Sequence, residues 1–276
     1  MRKRILVSII IIPVLTYIIY APYWNGLLFF LFLLMLSALT AREIHLLTGK
    51  MVFFKRGRAS FLWFVLPPLL MHAARFINRF VNTTPGAMLY TVTGIVAGLC
   101  ILSIVIYGLR EGPHKLLIFC MSFIYSGVFP LMLLQLQGEY RGFMFIYFLF
   151  FAAWVNDAAA YVIGSRFGRR RGIVRCSPNK SMEGYIGAFV VTMIMVNAFK
   201  FMFHEGFAPN IVQTNLLGFC VALTAPLGDL GESCFKRKAG VKDSSALFPG
   251  LGGVLDIFDS VLFSVPLYYI LVKSIL

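Results

Sequence analysis

The stretch GFMFIYFLFFAAWVNDAAAYVIG, residues 142–164, decides the architecture of this 276-residue chain. It is long enough to cross a bilayer, which takes about 20 mostly apolar residues. It also carries Asn156 and Asp157 inside that apolar run. A carboxylate at membrane depth costs about 2.5–3.5 kcal/mol on insertion scales, so it tends to face a cavity, a cation or a partner. A helix in lipid, bearing an acid that needs a reason to be there, is the reading that follows.

Working outward, runs of the same kind recur at 5–21, 25–41, 60–75, 87–109, 115–137, 184–204, 211–229 and 254–275. The run at 60–75 is short and holds Pro67 and Pro68, which kink a span or make it re-entrant. The spacing predicts an all-α polytopic protein with about nine transmembrane helices. Helices are expected because each satisfies its own backbone in lipid. Composition agrees: 59% of residues are apolar and 13% charged, where a soluble domain is near a quarter charged. The opening MRKR and the run at 5–21 resemble a signal peptide. No small-x-small cleavage site follows, so this run is read as an uncleaved first span.

With the N-terminus in the cytoplasm, twenty of the 25 Lys and Arg residues fall on inner segments. Arg75, Arg79, Arg141, Lys200 and Lys273 lie outside or near outer ends. That is the positive-inside pattern. It predicts a multi-pass protein of the cytoplasmic membrane, with loops 165–183 and 230–253 facing the cytosol. The net charge of +14 then reports loops near anionic membrane lipids. No interleaving of basic and aromatic residues outside the spans supports nucleic acid as a partner. The five cysteines are odd in number and have no CxxC pair, so neither a disulfide framework nor a zinc site is indicated. Cys176 and Cys234 are expected as reduced thiols in cytoplasmic loops.

Eight of the eleven acidic residues lie after position 156. Asp157, Asp229, Asp256 and Asp259 stand at or inside the ends of apolar runs. Three of them bracket the basic stretch SCFKRKAGVKD, residues 233–243. Asp229 is expected to close one span. Lys236, Arg237 and Lys242 would follow in a loop. Asp256 and Asp259 are three apart and share a face of the first turn of the last helix. Oxygen ligands suit a hard cation such as Mg²⁺, usually held by one or two carboxylates with phosphate oxygens and water. Lys and Arg suit phosphate. The set favours phosphoryl or nucleotidyl transfer. An earlier block, residues 154–187, adds Asn156, Asp157 and Lys180. Asp157 suits a cation, a lipid phosphate or a ribose. Lys180 suits phosphate, and Ser181 is expected to cap the next helix. The scattered histidines, and Glu43, Glu111 and Glu139 near loop ends, are read as structural or solvated. The first half carries little recognisable chemistry. Residues 1–140 are therefore expected to form a scaffold that shapes lipid access, and 141–276 a catalytic membrane domain.

These two blocks resemble the CDP-diacylglycerol synthase (phosphatidate cytidylyltransferase) family. The family pattern runs Ser, two residues, Lys-Arg, four residues, Lys-Asp, a Pro-Gly-His-Gly-Gly turn, and Asp-Arg-x-Asp. Here it reads Ser233, Lys236-Arg237, Lys242-Asp243, Pro249-Gly250, Gly252-Gly253, Asp256 and Asp259. Gly228-Asp229-Leu230, Asn156-Asp157, Tyr161, Gly164, Gly168, Ser177-Pro178, Lys180, Glu183-Gly184 and Gly187 are similar too. The likeness covers about residues 150–262. Two positions depart: Leu251 stands for His, and Ile257 for Arg.

The resemblance implies that CTP and phosphatidate give CDP-diacylglycerol and pyrophosphate. The lipid phosphate would attack the α-phosphorus of CTP. Divalent cations, Mg²⁺ with room for a second, would sit on Asp229, Asp256 and Asp259. Lys236, Arg237, Lys242 and Lys180 would hold phosphate oxygens, with Ser233 and Asn156 bonding nucleotide or lipid. A homodimer is the assembly implied. Two other readings stay open from the residues: a CTP-dependent lipid kinase of the polyprenol or phytol type, and an anion transporter. Concentration of the carboxylates in one half speaks against the transporter.

Overall fold

The computed structural model describes residues 13–19, 26–50, 122–248 and 250–276. The expected spans at 60–75 and 87–109 lie outside the described residues. Among the described residues the structure is helical, with no named strand. Five helices are long and apolar enough to cross a membrane, so the chain is a helical membrane protein.

Two compact units are present: residues 23–134, and residues 1–22 with 135–276. In the first, α1 spans Leu27–Lys50 and reaches well past the run at 25–41. Glu43 is consequently buried inside a helix, not solvated at a loop end as its position near the end of that run suggested. A π-helical turn, Ile124–Val128, leads into α2, Phe129–Gln137. Pro130 lacks the N–H that would have bonded the Ser126 carbonyl. The Ser37 hydroxyl of α1 donates to that carbonyl instead.

The second unit holds four long helices: α3 Gly142–Phe167, α4 Met182–Met202, α5 Ile211–Lys238 and α6 Val254–Ile275. α3 packs on α4, α5 and α6, and α5 packs on α4 and α6. At one end an aromatic core fills the bundle. The Phe148, Phe199 and Phe207 ring centroids stand 5.0–5.5 Å apart. Lipid supplies no hydrophobic drive between helices, so polar clamps and small residues join them. Asn156 Nδ2 donates to Thr192 Oγ1 at 3.1 Å, joining α3 to α4. Asn197 and Asn215 exchange amide hydrogen bonds at 2.9 and 3.1 Å, joining α4 to α5. The Tyr268 hydroxyl donates to the Phe145 carbonyl at 2.7 Å, joining α6 to α3.

Glycines mark the closest helix crossings. A Cβ on Gly184 would stand 3.0 Å from both the Ala160 carbonyl oxygen and Gly164 Cα, where α4 meets α3. A Cβ on Gly228 would stand 2.6 Å from Phe263 Cβ and 2.8 Å from the Asp259 carbonyl oxygen, where α5 meets α6. The second crossing brings Asp229 beside Asp259.

α5 is longer than expected. The apolar run ends at 229, yet the helix continues to Lys238. Glu232 and Lys236 pair one turn apart, and Lys236, Arg237 and Lys238 complement the negative end of the helix dipole. Asp229 therefore lies within the helix instead of closing it. Lys236 and Arg237 are helical, and only Lys242 is in the loop.

Candidate active site

The segment between α3 and α4 is folded back tightly. Arg171 and Ser181 form a single bridge. Ser181 caps α4, its hydroxyl accepting from the Gly184 N–H at 3.2 Å, as its position predicted. Glu183 accepts the backbone N–H groups of Arg169 and Arg170 at 3.1 and 3.2 Å. This fold leaves Lys180 pointing at α5, where its ammonium bonds the Asp229 carboxylate. Ser233, one turn on, donates to the other Asp229 oxygen at 3.4 Å. Asp157 of α3 lies within electrostatic reach of Asp229 and Lys180 and bonds the Ser260 side chain. Ser260 also donates to Asp259, through its N–H at 2.6 Å and its hydroxyl at 3.1 Å. Asp259 in turn feels Asp157 and Asp229. Three helices thus bring three aspartates within reach of one another, with Lys180 beside Asp157 and Asp229 and Lys236 within reach of Asp259.

Beside this group lies a second. The Lys236 ammonium sits between Glu232, at 2.5 Å, and Asp256. Asp256 Oδ1 takes Lys236. Its Oδ2 accepts from the Ser244 N–H at 2.8 Å, the Ser244 hydroxyl at 2.7 Å and the Gly253 N–H at 2.7 Å. One carboxylate therefore closes the first turn of α6 and pins the loop before it. Gly252 has φ +93°, and a Cβ there would meet Asp256 Oδ2 at 2.3 Å. Only glycine fits at this place. Pro249 of the same turn lies outside the described residues.

Two of the residues predicted from sequence are not brought to the carboxylates. Arg237 is exposed and donates to the carbonyls of Cys176 and Val241, each at 3.4 Å. Lys242 is exposed in the loop. Arg237 thus ties loop to helix, as does a link that the sequence reading did not anticipate. Cys176 and Cys234 form a disulfide, with Cα atoms 4.8 Å apart. The expectation of two reduced loop thiols is corrected on both points. Cys234 is on α5, and the folded-back segment carries Cys176 onto it.

Sequence reading also passed over Glu232. Its signal was available: it stands four residues before Lys236, the spacing of an ion pair on a continued helix. Five carboxylates (Asp157, Asp229, Glu232, Asp256 and Asp259) accompany two ammonium groups. Buried charge of one sign calls for a counter-charge. Among the described residues, no three His, Cys, Asp or Glu side chains cage a metal by themselves. Mg²⁺ does not need such a cage when phosphate oxygens and water complete its shell. The orphaned buried atoms fit a bound guest. Asn156 Oδ1, the Tyr185 hydroxyl and Glu232 Oε1 have no hydrogen-bond partner, while Glu232 Oε2 is taken by Lys236. All three residues border this cluster. The donor set, hard oxygens beside lysines, suits a cation held jointly with phosphate.

A helical membrane protein with an acidic and basic cluster between its helices is the class that fold and site define. The chain belongs to the cytidylyltransferase family, whose model matches residues 2–275. It is 36% identical over 167 residues to the phosphatidate cytidylyltransferase of Haemophilus influenzae, covering 57% of each chain. It is 36% identical over 158 residues to that of Staphylococcus saprophyticus, covering 57% of this chain and 59% of the relative. Against that of Staphylococcus aureus it is 37% identical over 154 residues, covering 55% and 58%. The chain thus spans less than two thirds of the length of these curated relatives. The family resemblance read from the motifs is borne out.

Proposed function

We propose that this protein is a CTP:phosphatidate cytidylyltransferase of the cytoplasmic membrane, making CDP-diacylglycerol and pyrophosphate for phospholipid synthesis. One observation carries the reading. The family's motif residues Asp157, Lys180, Asp229, Lys236, Asp256 and Asp259 lie within electrostatic reach of one another in one connected cluster. The relatives, phosphatidate cytidylyltransferases, supply the substrate.

A phosphatidate oxygen attacks the α-phosphorus of CTP, a new P–O–P bond forms, and the bond to the β-phosphate breaks as pyrophosphate leaves. No protein nucleophile is needed, because the lipid phosphate is itself nucleophilic. Lys180 and Lys236 would hold phosphate oxygens and offset charge building on the leaving group. Asn156 offers a free amide oxygen to a ribose hydroxyl or a water. Asp229 and Asp259, with Asp256 at the margin, would hold Mg²⁺. When bound, that ion neutralises the triphosphate and orients it for in-line displacement. A second cation is compatible with the surplus of carboxylates. We further propose an inward N-terminus, a lipid-access role for residues 1–140, and a homodimer.

The test uses protein in detergent, radiolabelled CTP and phosphatidate, with Mg²⁺ or with chelator. Labelled CDP-lipid and released pyrophosphate are expected, and both vanish with chelator. Lipid phosphate with CDP, from a lipid alcohol, would overturn the reading in favour of a lipid kinase.

A further inference from the structure

Tyr185 was not among the residues that the motifs singled out as carrying chemistry. It stands in the first turn of α4, after the Ser181 cap. Its ring lies beneath the Lys180 ammonium, which is 5.8 Å from the ring centroid. It is within electrostatic reach of Asp229. Its hydroxyl is buried and has no hydrogen-bond partner.

Such a hydroxyl is uncommon. Buried polar groups are nearly always bonded, and each exception asks for an explanation. Packing does not supply one, because phenylalanine would fill the same space without the unbonded oxygen. The setting does. The Lys180 and Asp229 side chains are 27% and 32% exposed, whereas the tyrosine oxygen is fully covered. An anion arriving from the open side meets Lys180 first. The same ammonium lies over the Tyr185 ring, so an anion that draws it off Asp229 is brought beside the tyrosine. A phenol is then a good donor to a phosphate oxygen, and a neutral one that adds no charge to the cluster.

We propose that Tyr185 is a substrate-binding residue whose hydroxyl donates to a phosphate oxygen once that phosphate draws Lys180 off Asp229. The inference rests on the phosphate-transfer reading above and adds a residue to it. The phosphate belongs to phosphatidate or to CTP, and the experiment separates the two.

The measurement is steady-state kinetics of Y185F, with each substrate varied in turn, beside equilibrium binding of CTP and of phosphatidate in micelles. Loss of one hydrogen bond to a charged partner corresponds to a rise on the order of tenfold in KM and Kd. The rise appears for phosphatidate if the lipid phosphate is the partner, and for CTP if the nucleotide is. Thermal stability is unchanged or higher, because an unbonded buried oxygen has been removed. In a K180A background the effect of Y185F shrinks, since one bond depends on the displacement of the other. Unchanged KM and Kd for both substrates would overturn the inference, as would a fall in stability that accounts for the whole loss. Wild-type protein without transferase activity would overturn the function proposed above, and this inference with it. Active wild type that Y185F matches would overturn only the inference.

Discussion

Lys236 of α5 and Asp256 of α6 form an ion pair across the two helices, and Glu232 closes on the same ammonium at 2.5 Å. Asp256 serves two masters, holding Lys236 with one oxygen and the 244–253 loop with the other. Breaking a buried pair by removing one partner costs about 3–5 kcal/mol. Asp256→Ala is therefore expected to lower thermal stability sharply as well as abolish transfer. Ser244→Ala keeps the backbone donor and is expected to cost about 1 kcal/mol. Thermal unfolding in detergent compares the two. Equal, small losses would show that Asp256 does not organise the loop.

Lys180 and Asp229 behave differently because their pair is partly open. Pairs of this exposure contribute about 0–1 kcal/mol after screening. Lys180→Ala should leave the melting temperature nearly unchanged. Its transferase rate should fall on the order of 10²-fold, the loss typical of one donor to developing charge. Parallel melting and product-release assays check this. A large stability loss with modest kinetic change would reverse the assignment.

Gly228 and Gly231 stand three residues apart on α5 and predict opposite outcomes. A Cβ at 228 strikes Phe263 and the Asp259 carbonyl, while at 231 it meets nothing within 4 Å. Gly228→Ala should force α5 from α6, cost about 1–3 kcal/mol as overpacking does, and separate Asp229 from Asp259. Gly231→Ala should be neutral or gain up to about 1 kcal/mol from helix propensity. Melting temperature and activity of the two variants are the readout.

The Cys176–Cys234 link closes a separation of 58 residues. On the chain-entropy account, a loop of that size contributes at most about 4 kcal/mol. The double serine variant should melt lower by a corresponding amount. In a non-reduced digest of wild type, mass spectrometry should find the two peptides joined. Separate peptides there would remove the link from the description.

The membrane helices were legible because apolar length is a direct physical requirement of lipid. The runs at 142–164, 184–204 and 254–275 lie within a few residues of α3, α4 and α6. The Ser181 cap was legible from hydroxyl chemistry before a helical run. What escaped reading was structure that continues where hydrophobicity stops. Residues 230–238 look like a loop by polarity, but a helix already nucleated adds residues at low cost when i,i+4 pairs support it. Glu232 was missed for the same reason. Glu43 was misread because α1 runs on past its apolar stretch. The disulfide has no local signal: it depends on the 168–181 segment turning back on α5. The gathering of Asp157, Asp229, Asp256 and Asp259 was expected from their places at the ends of apolar runs and from the family resemblance, and the Gly228 crossing gives the approach of Asp229 to Asp259 a geometric cause.

α5 has 28 residues, about 42 Å at 1.5 Å per residue, against a hydrocarbon slab of about 30 Å. Its surplus is the polar end that bears Glu232, Ser233 and Lys236. That end therefore rises to the depth where phospholipid headgroups reside. On the function proposed above, a diacylglycerol anchor would stay immersed while its phosphate reached the level of Lys236, with no lift of a greasy molecule into water.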